Sequence, residues 1–345
     1  MPGPAGMAVG LYRTIQPLEN TVETGLKDAS GRRGTRAAAL VTGATGILGP
    51  VLVRSLLAEG WSVRALCRQE QPFGLLPAQV EVRLGDVTDG DAVDRAVEGV
   101  STIFHLAGLL HNPRPEPSEA ALYEAVNVGG SRNVASAAAR QGASVIHFST
   151  ITVYGPTRGE PVDELSPVHP AGPYAATKHR SEEVLLSAGV KVSVLRLAAV
   201  YGRRMKGNYP RLVEALRRGR FVPVGDGSNR RTLIHEADVV RAAILAAGRV
   251  HEVNGIYNVT DGATHSMREI LAAICSALGR PAPRLRIPDT LARLVARRLG
   301  HGDVLDRYLE NVEVKGERIQ KDLDFTPAFD LGSGWRDALR SEERA

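Results

Sequence analysis

The fold is decided by residues 42–49, which read Thr42-Gly43-Ala44-Thr45-Gly46-Ile47-Leu48-Gly49. A short apolar run at residues 37–42 leads into this stretch, and an amphipathic helical pattern follows it directly. Glycines at three-residue intervals permit a tight turn, close approach of the backbone to a pyrophosphate, and close packing of a helix on a sheet. The stretch therefore predicts a strand, a phosphate-binding turn and a helix whose N-terminus faces the phosphates of a dinucleotide.

Apolar runs and amphipathic helical patterns alternate outward from this turn, as in repeated βαβ units. The runs are rich in Val, Ile and Leu and are apolar on both faces, which is typical of buried parallel strands. The pattern predicts an α/β fold, a Rossmann-like doubly wound parallel sheet with a smaller C-terminal α/β substrate lobe. Strands are expected at residues 37–42, 62–67, 80–85, 102–106, 144–149 and 191–197, and helices at 47–59, 92–98, 127–141 and 174–187.

The chain divides into three parts by pattern. Residues 1–36 carry Gly, Pro and scattered charges without a sustained period, which predicts a flexible N-terminal extension. Residues 37–201 form the predicted dinucleotide-binding domain. Residues 202–340, which proline interrupts repeatedly, are expected to form mainly the substrate lobe over the carboxyl edge of the sheet, with about 232–260 returning to the sheet.

Composition excludes several classes of protein. Basic residues exceed acidic ones by 43 to 38, but the arginines are scattered and aromatic residues make up 5%, so we expect no nucleic-acid partner. No segment is long and apolar enough to span a bilayer, and no secretory leader pattern is found, which predicts a cytoplasmic protein without a membrane partner. Two distant cysteines, Cys67 and Cys275, indicate buried thiols and no metal site.

The end of the predicted second strand bears on the choice of dinucleotide. NAD-specific proteins usually place a carboxylate there for the ribose hydroxyls. This chain has Arg68 instead, whose guanidinium could pair with the extra phosphate of NADP. The sequence therefore favours NADP over NAD, while a solvated arginine at the strand end remains the alternative.

The candidate chemistry lies on the predicted helix 174–187. Tyr174 and Lys178 are four residues apart and so share one helical face. Thr150 ends the strand before this helix, at the carboxyl edge of the sheet. A free tyrosine has a pKa of about 10, and an adjacent ammonium and a positive nicotinamide ring would lower it. We therefore expect Tyr174 to exchange a proton with a substrate oxygen that the Thr150 hydroxyl holds.

With these motifs the chain resembles the extended short-chain dehydrogenase/reductase family, also called the NAD-dependent epimerase/dehydratase family. The resemblance runs from about residue 37 to 340 and is most specific in the first half. The matching pieces are the turn 42–49, Gly85-Asp86-Val87, His105-Leu106-Ala107-Gly108, Asn127-Val128-Gly129-Gly130, Ser149-Thr150 ahead of Val153-Tyr154-Gly155, and Tyr174 with Lys178.

The resemblance implies a role for each matching position. It makes Asn127 structural and Arg231 the clamp on a substrate diphosphate, although an arginine paired with Asp238 or Glu236 is the competing interpretation. Ala199 departs from the family, which often has Asn there. The catalytic residues implied are Thr150, Tyr174 and Lys178, with Thr150 also touching substrate, and the dinucleotide contacts implied are Gly43, Gly46, Ile47, Gly49, Arg68, Asp86, Val87, Leu106, Ala107, Gly108, Tyr174 and Lys178.

The resemblance also implies the substrate class, since family members mostly act on nucleotide-activated sugars. Dehydration is not expected, because Ile151 and Thr152 stand where dehydrating members carry an acidic pair. Reduction of a 4-keto group is favoured by Arg68 and by a C-terminal stretch similar to reductases of keto-sugar nucleotides. The alternatives are 4-epimerisation with tightly held NAD, reduction of a non-sugar ketone, and a non-catalytic cofactor-binding protein. A homodimer is common in the family and is a further possibility here.

Overall fold

The glycine turn follows an interior strand of a seven-stranded parallel sheet, at the carboxyl edge of that sheet. A computed structural model describes residues 37–69, 74–109, 117–157, 159–298, 300 and 302–340, so the predicted extension at 1–36 lies outside the described residues. The strand order is β10-β6-β5-β4-β1-β2-β3, and every neighbouring pair is parallel. The strands are β1 (Ala38–Thr42), β2 (Ser62–Cys67), β3 (Glu81–Leu84), β4 (Thr102–His105), β5 (Ser144–Thr150), β6 (Val192–Leu197) and β10 (Gly255–Val259).

Helices cover both faces of this sheet because its central strands are apolar on both sides. On one face, side chains of two helices pack with β1, β5 and β6 into one core, and on the other face three helices pack with β4 into a second core. The fold is thus the predicted doubly wound, Rossmann-like α/β fold. The first face carries α1 (Gly49–Ala58) and α7 (Glu236–Arg249), and the second carries α2 (Gly90–Val97), α4 (Gly130–Gln141) and α5 (Gly172–Leu186).

The helix predicted at 127–141 begins earlier and is not uniform. After α3 (Pro117–Tyr123), residues Glu124–Gly129 form a π-helical turn, and only then does α4 follow. A π-turn holds one more residue than an α-turn, so it shifts the faces of the helix on either side of it. Asn127 is buried within this turn.

The remaining elements build a third core around Tyr201 and Trp335, both fully buried. The last helix packs on α8, and one late strand, β10, joins the main sheet beside β6. Residues 36–339 cluster into one compact unit, and the division at residue 201 stays a prediction. The elements are β7 (Ala199–Tyr201), α6 (Asn208–Arg217), β8 (Arg230–Arg231), β9 (Leu233–His235), β11 (His265–Ser266), α8 (Met267–Ala277), α9 (Asp289–Arg298), α10 (Gly302–Leu309), α11 (Glu317–Leu323) and α12 (Leu331–Leu339).

Among the described residues, no helix combines the length and the apolar character needed to cross a bilayer. Within the same residues, no group of three or more His, Cys, Asp or Glu side chains is placed to hold a metal ion. Cys67 and Cys275 are both buried free thiols.

Candidate active site

The glycine turn is tightly folded against the loop that follows β4. Gly43 has a φ of 71°, and the Gly46 N–H donates to the Gly43 carbonyl at 2.9 Å. A Cβ on Gly43 would lie 2.7 Å from the backbone nitrogen of Ala107, and a Cβ on Gly49 would lie 2.3 Å from the Ala44 carbonyl oxygen. Both positions therefore exclude any larger residue: Gly43 by its positive φ and its contact with the loop after β4, and Gly49 by its contact with the backbone of the turn.

The start of α1 suits an anionic group. Its N-cap, Leu48, makes no side-chain capping bond, and no acidic residue lies in the first turn. Thr45 and Gly46 are exposed just before the helix, and Ile47 is half-buried. Backbone N–H groups at a helix N-terminus bind phosphate well because they are unsatisfied within the helix and lie at its positive end. This donor set fits the pyrophosphate of a dinucleotide.

The turn also stands where the strand order of the sheet reverses. From β1 the chain proceeds to β2 and β3 on one side, and then returns to β4 on the other side. The Ala107 N–H donates to Thr42 Oγ1 at 3.2 Å, so the loops after β1 and β4 meet directly. Ligands of open α/β sheets bind at such a reversal, at the carboxyl ends of the strands. Leu106, Ala107 and Gly108, the dinucleotide contacts that the resemblance implies, lie in this loop.

Asp86 and Val87 follow β3 at the same edge. Asp86 Oδ1 accepts from both the backbone nitrogen and the hydroxyl of Thr88, at 2.9 and 2.8 Å. Val87 is buried, and its methyl groups would lie about 3 Å from a Cβ placed on Gly130. In the structure the Asp86 carboxylate therefore shapes its own loop, and Val87 packs on the start of α4.

Arg68 is exposed directly after β2. No ion pair of Arg68 with a described residue is found, and residues 70–73, which follow it, lie outside the described part of the chain. The position at the end of the second strand is the one from which a side chain can reach the ribose of a dinucleotide.

Thr150 and Tyr174 meet above the carboxyl end of β5. The helix α5 begins at Gly172 with Pro173 in its first turn, a position that proline favours because its missing N–H is not needed there. This start places the Tyr174 phenol in hydrogen-bond contact with the Thr150 side chain. The Thr150 hydroxyl also contacts the Thr152 hydroxyl at 3.1 Å. Tyr123 lies edge-on to the Tyr174 ring, with the ring centroids 6.3 Å apart.

The protein groups around Tyr174 do not make its phenol acidic. Burial raises the pKa of Tyr174 to about 12, and the hydrogen bond with Thr150 opposes this rise in part. The spacing of Tyr174 and Lys178 predicts the opposite shift, a phenol pKa lowered by the adjacent ammonium. In the structure the Lys178 amine points instead to His147 and contacts its Nε2 at 3.2 Å. Tyr174 is therefore a proton donor at neutral pH.

Lys178 belongs to a buried row of polar groups beneath Tyr174. Burial lowers the pKa of Lys178 to about 8, although the Glu182 carboxylate partly offsets this. Burial, followed by the Lys178 and His105 charges, lowers the pKa of His147 well below its usual value. The His105 ring stacks obliquely on His147 with centroids 5.2 Å apart and contacts Thr42 Oγ1 at 2.8 Å. The row thus connects the glycine turn with α5.

Asn127 ties α5 to the loop after β4. Its Oδ1 accepts from the Leu109 N–H at 2.9 Å, and its Nδ2 donates to Thr177 Oγ1 at 3.0 Å. The Asn127 carbonyl also accepts from the hydroxyls of Ser131 and Ser181, at 2.7 and 2.9 Å. The backbone N–H of Gly130 donates to this carbonyl as well, at the end of the π-turn. Asn127 therefore fixes the helix that carries Tyr174 and Lys178.

A buried ion pair anchors the other end of this helix. The Arg196 guanidinium on β6 binds the Glu182 carboxylate through two nitrogens, and both side chains are at most 3% exposed. The Ser149 hydroxyl donates to the same carboxylate. The guanidinium also lies over the Tyr154 ring, 4.9 Å from its centroid. Strands β5 and β6 and helix α5 are held together at this point.

Arg231 contacts neither of the carboxylates considered for it. Its guanidinium donates to the carbonyl of Tyr308 at 2.7 Å and to that of Glu310, at the end of α10. Asp238 instead accepts from the backbone nitrogens of Ala328 and Phe329. Guanidinium groups stabilise the negative end of a helix, so Arg231 anchors α10 to β8.

Sequence reasoning missed three participants of this site, namely Tyr123, His147 and Glu182. A signal for His147 exists, because a histidine inside a strand that is otherwise buried and apolar needs a polar partner. Glu182 lies eight residues after Tyr174 and so two helical turns along the same face. Nothing in the sequence places Tyr123 beside Tyr174.

A cavity of about 660 Å³ opens at the opposite edge of the sheet, beside the first residues of β1, β2 and β3. Trp61, Arg64 and Glu81 are among its lining residues. The reactive side chains described above stand at the carboxyl edge instead, where ligands of such sheets bind. We therefore place the candidate active site there.

Comparisons with known proteins agree with this geometry. The model of the NAD dependent epimerase/dehydratase family matches residues 39–260. The dTDP-glucose 4,6-dehydratase of Streptomyces griseus is 33% identical over 316 residues, which cover 86% of this chain and 90% of that enzyme. The N-acetyl-alpha-D-glucosaminyl-diphospho-ditrans,octacis-undecaprenol 4-epimerase of Escherichia coli O157:H7 is 29% identical over 262 residues, or 74% of this chain and 76% of that enzyme.

Solved structures resemble the whole described fold. MoeE5 in complex with UDP-glucose and NAD superposes with a TM-score of 0.71 at 27% identity, covering 88% of this chain and 97% of that one. The ligands named for that structure are a nucleotide sugar and NAD.

Proposed function

Because the chain belongs to the NAD-dependent epimerase/dehydratase family, we propose that it moves a hydride at a hydroxyl-bearing carbon of a nucleotide-activated sugar, with 4-epimerisation as the net reaction. The single observation that carries this proposal is the hydrogen bond between the Tyr174 phenol and Thr150 at the carboxyl edge of β5. It places a proton donor and a second hydroxyl at the point where this type of sheet binds its ligands.

The dinucleotide would be held at the start of α1 by Gly43, Gly46, Ile47 and Gly49. The remaining contacts would come from residues after β2, β3 and β4 at the same edge of the sheet, namely Arg68, Asp86, Val87, Leu106, Ala107 and Gly108. The uncapped helix start supports this assignment. A dinucleotide held there would supply hydride transfer at the sugar carbon and, in its oxidised form, a positive charge near the Tyr174 phenol.

Three side chains would take part in the proposed reaction. Thr150 holds the oxygen of the reacting carbon by its hydroxyl, next to the phenol. Tyr174 takes the hydroxyl proton as the carbon is oxidised and gives a proton back as the carbonyl is reduced. Lys178, whose amine contacts His147 at 3.2 Å, would hold the dinucleotide beside Tyr174 and does not itself make the phenol acidic. The groups of the protein alone keep Tyr174 protonated, which matches the proton-donating half of the cycle.

We propose epimerisation ahead of reduction, which the sequence pattern favours, for two reasons. The 4-epimerase of Escherichia coli O157:H7 is among the similar relatives, and MoeE5 was solved with NAD and UDP-glucose. Oxidation followed by reduction from the other face needs no external reductant, so a tightly held NAD suffices. Dehydration is not proposed, because Ile151 and Thr152 bring no carboxylate next to Thr150.

Net reduction of a 4-keto sugar by NADPH is the second candidate, and one observation favours it. Arg68 is exposed at the end of β2, where its guanidinium could bind the additional phosphate of NADP. The two candidates use the same three side chains and differ in whether the cofactor leaves after each turnover.

The experiment that tests the proposal examines the cofactor and the reaction together. Mass spectrometry of the purified protein identifies any dinucleotide carried through purification, and absorbance at the reduced-nicotinamide band is followed during incubation with UDP-sugars. Retained NAD with a changed sugar and constant absorbance is expected for the epimerase. Consumption of NADPH with a keto-sugar would support the reductase, and no conversion of any nucleotide sugar would contradict both.

The role of Tyr174 is tested by Tyr174→Phe, which keeps the ring and removes the exchangeable proton. Loss of general acid–base catalysis predicts a turnover at least about a hundredfold lower. The dissociation constant of the dinucleotide is expected to change only a few-fold, as measured by fluorescence titration. Unchanged turnover in this variant would remove Tyr174 from the mechanism.

A further inference from the structure

Helix α9 turns its apolar side away from the protein. Leu291, Leu294 and Val295 follow each other at helical spacing and are 51%, 56% and 48% exposed. No residue of α9 is buried. We call the surface of Leu291, Leu294 and Val295 the α9 face. A contiguous exposed apolar surface on a soluble protein usually marks an interaction site.

The opposite side of the helix holds it in place. Arg293 forms an ion pair with Asp306 on α10, and Ala292 and Ala296 are half-buried on the same side. The helix is thus oriented with Arg293 and its two half-buried alanines toward α10 and its leucines outward. This is the reverse of a helix that packs an apolar stripe on the core of its own chain.

The segment that carries the α9 face is strongly basic. Residues 280–298 contain six arginines and one aspartate, a net charge of +5, which equals the formal net charge of the whole chain. The remaining residues are therefore neutral in sum, and the positive charge is concentrated here. Arg284, Arg297 and Arg298 are exposed around the leucines, and Leu285 just before the helix is 77% exposed.

We propose that the α9 face docks on the surface of an anionic phospholipid bilayer. Exposed leucines on one side of a short helix, flanked by arginines, match the requirements of a helix that lies in the plane of a membrane interface. Each arginine near such a surface adds attraction to the anionic headgroups, and the long arginine stems let the guanidinium groups reach them. Surface docking differs from a membrane span, and it departs from our sequence expectation of no membrane partner.

This docking would place the substrate side of the enzyme at the membrane. Arg231, the predicted substrate arginine on β8, donates to the carbonyls at the end of α10, and α10 packs on α9. The α9–α10 pair is therefore attached directly to the predicted substrate segment. A membrane-bound α9 face would orient that segment toward the bilayer.

The test is co-sedimentation of the full chain with vesicles. Vesicles of phosphatidylglycerol and phosphatidylcholine in equal parts are compared with vesicles of phosphatidylcholine alone, and the bound fraction is measured. The wild-type protein is expected to bind the anionic vesicles at least roughly tenfold more tightly than the neutral ones, and to be released by high salt. No binding, or equal binding to both vesicles, would overturn the proposal.

Two variants assign the binding to the α9 face. Leu291→Gln with Leu294→Gln removes apolar contact, and Arg297→Gln with Arg298→Gln removes charge; each is expected to weaken binding to anionic vesicles roughly tenfold or more. All four side chains are exposed, so the thermal midpoint should remain that of the wild type. The matched control is Leu122→Gln with Leu165→Gln, which removes two exposed leucines elsewhere and should bind like the wild type.

A different partner would give a different result. Light scattering in the absence of lipid measures the mass of each protein in solution. If the leucine variant converts a dimer into a monomer while its vesicle binding equals that of the wild type, the α9 face binds a second copy, and the membrane proposal is wrong.

Discussion

The Lys178 amine is buried between β5 and α5, against His147 and near Glu182. Water cannot solvate its charge there, so the amine holds its proton less tightly than a surface lysine. The site therefore keeps an amine that is costly to ionise one helical turn from the proposed proton donor, Tyr174. Such placement is common where function and stability conflict.

The first prediction concerns stability against pH. The folded pKa of Lys178 is about 8, below its usual 10.5, so between these values the unfolded chain binds more protons than the folded one. The free energy of unfolding then rises with pH in this window. Relative to Lys178→Met, the wild-type value should increase by about 2 kcal/mol from about pH 7.5 to about pH 10. Urea unfolding at both pH values measures this, and parallel pH profiles would contradict the assigned pKa.

The second prediction concerns Arg68. Replacing it in Arg68→Glu reverses the charge at the end of β2, where a 2′-phosphate would lie. The dissociation constant of NADP should rise roughly 10- to 100-fold, since a hydrogen bond to a charged group contributes about 1.5–3 kcal/mol. The constant for NAD, measured in the same titrations, serves as the control and should change only a few-fold. Equal weakening of both dinucleotides would show that Arg68 does not select between them.

The sequence predicts the shared helical face of Tyr174 and Lys178 better than it predicts the contacts of these side chains. Tyr174 and Lys178 share a helical face because they are four residues apart, and this follows from helical geometry alone. The direction of the Lys178 side chain does not follow, since it depends on His147 from a strand 31 residues earlier. Arg231 illustrates the same limit, because its partners lie in α10 and no local pattern indicates them.

Two buried side chains from other elements hold the helix α5 in place: Asn127 bonds it near its start, and Arg196 pairs with it near its end. A helix held in this way keeps Tyr174 at a fixed distance from Thr150 on β5. The precision of the proposed proton transfer therefore depends on residues that do not touch the substrate.

The third prediction tests the Arg196 ion pair. Glu182→Gln leaves the buried Arg196 guanidinium without its counter-charge, which should lower the free energy of unfolding by about 3–5 kcal/mol. The neighbouring carboxylate Glu183 is 62% exposed, so Glu183→Gln is the matched control and should change the value by less than about 0.5 kcal/mol. Chemical denaturation of the three proteins measures these differences. A similar small change in both variants would mean that the ion pair is not needed.

Strands were the elements that the sequence predicted best. Each main-sheet strand from β1 to β6 begins and ends close to its predicted bounds. Apolar runs such as β1, β4, β5 and β6 have few alternatives to burial in a parallel sheet. The expected burial on both faces is wrong for β3, an edge strand whose residues are largely exposed. The π-turn at Glu124–Gly129 could not be predicted, since a single inserted residue leaves no periodic signature in so short a segment. The helices after residue 280 have at most ten residues each, so their packing depends on tertiary contacts that the sequence pattern does not indicate.

The last helix of the described residues, α12, packs on α8 and so attaches the end of this part of the chain to the third core. Trp335 on α12 stacks on Tyr201 with centroids 4.6 Å apart, and both rings are fully buried. The approach is close because Gly334 presents no side chain: a Cβ there would lie 2.1 Å from the Tyr201 hydroxyl oxygen. The helix α12 is thereby packed on β7, the short strand that follows β6 and lies outside the main sheet.

The fourth prediction tests the packing of α12 on Tyr201. Gly334→Ala must displace the Tyr201 ring or α12 and should lower the free energy of unfolding by about 1–3 kcal/mol. Gly332→Ala is the control in the same helix, because its Cβ would meet only the flexible end of Arg336 and the carboxylate of Asp330, both at about 3.4 Å or more. Thermal unfolding compares the two variants. Equal midpoints would show that the interface can relax around a methyl group.

The π-turn has a consequence for changes in chain length. It exists only because Glu124–Gly129 holds one residue more than a regular helix of the same rise. Deleting a single residue there would let the segment rewind, turning Asn127 by about 100° about the helix axis and away from Thr177. Deleting one residue would thus remove the bonds between Asn127 and α5 more completely than most point substitutions. Homologous proteins that keep the reaction should therefore conserve the number of residues in this turn.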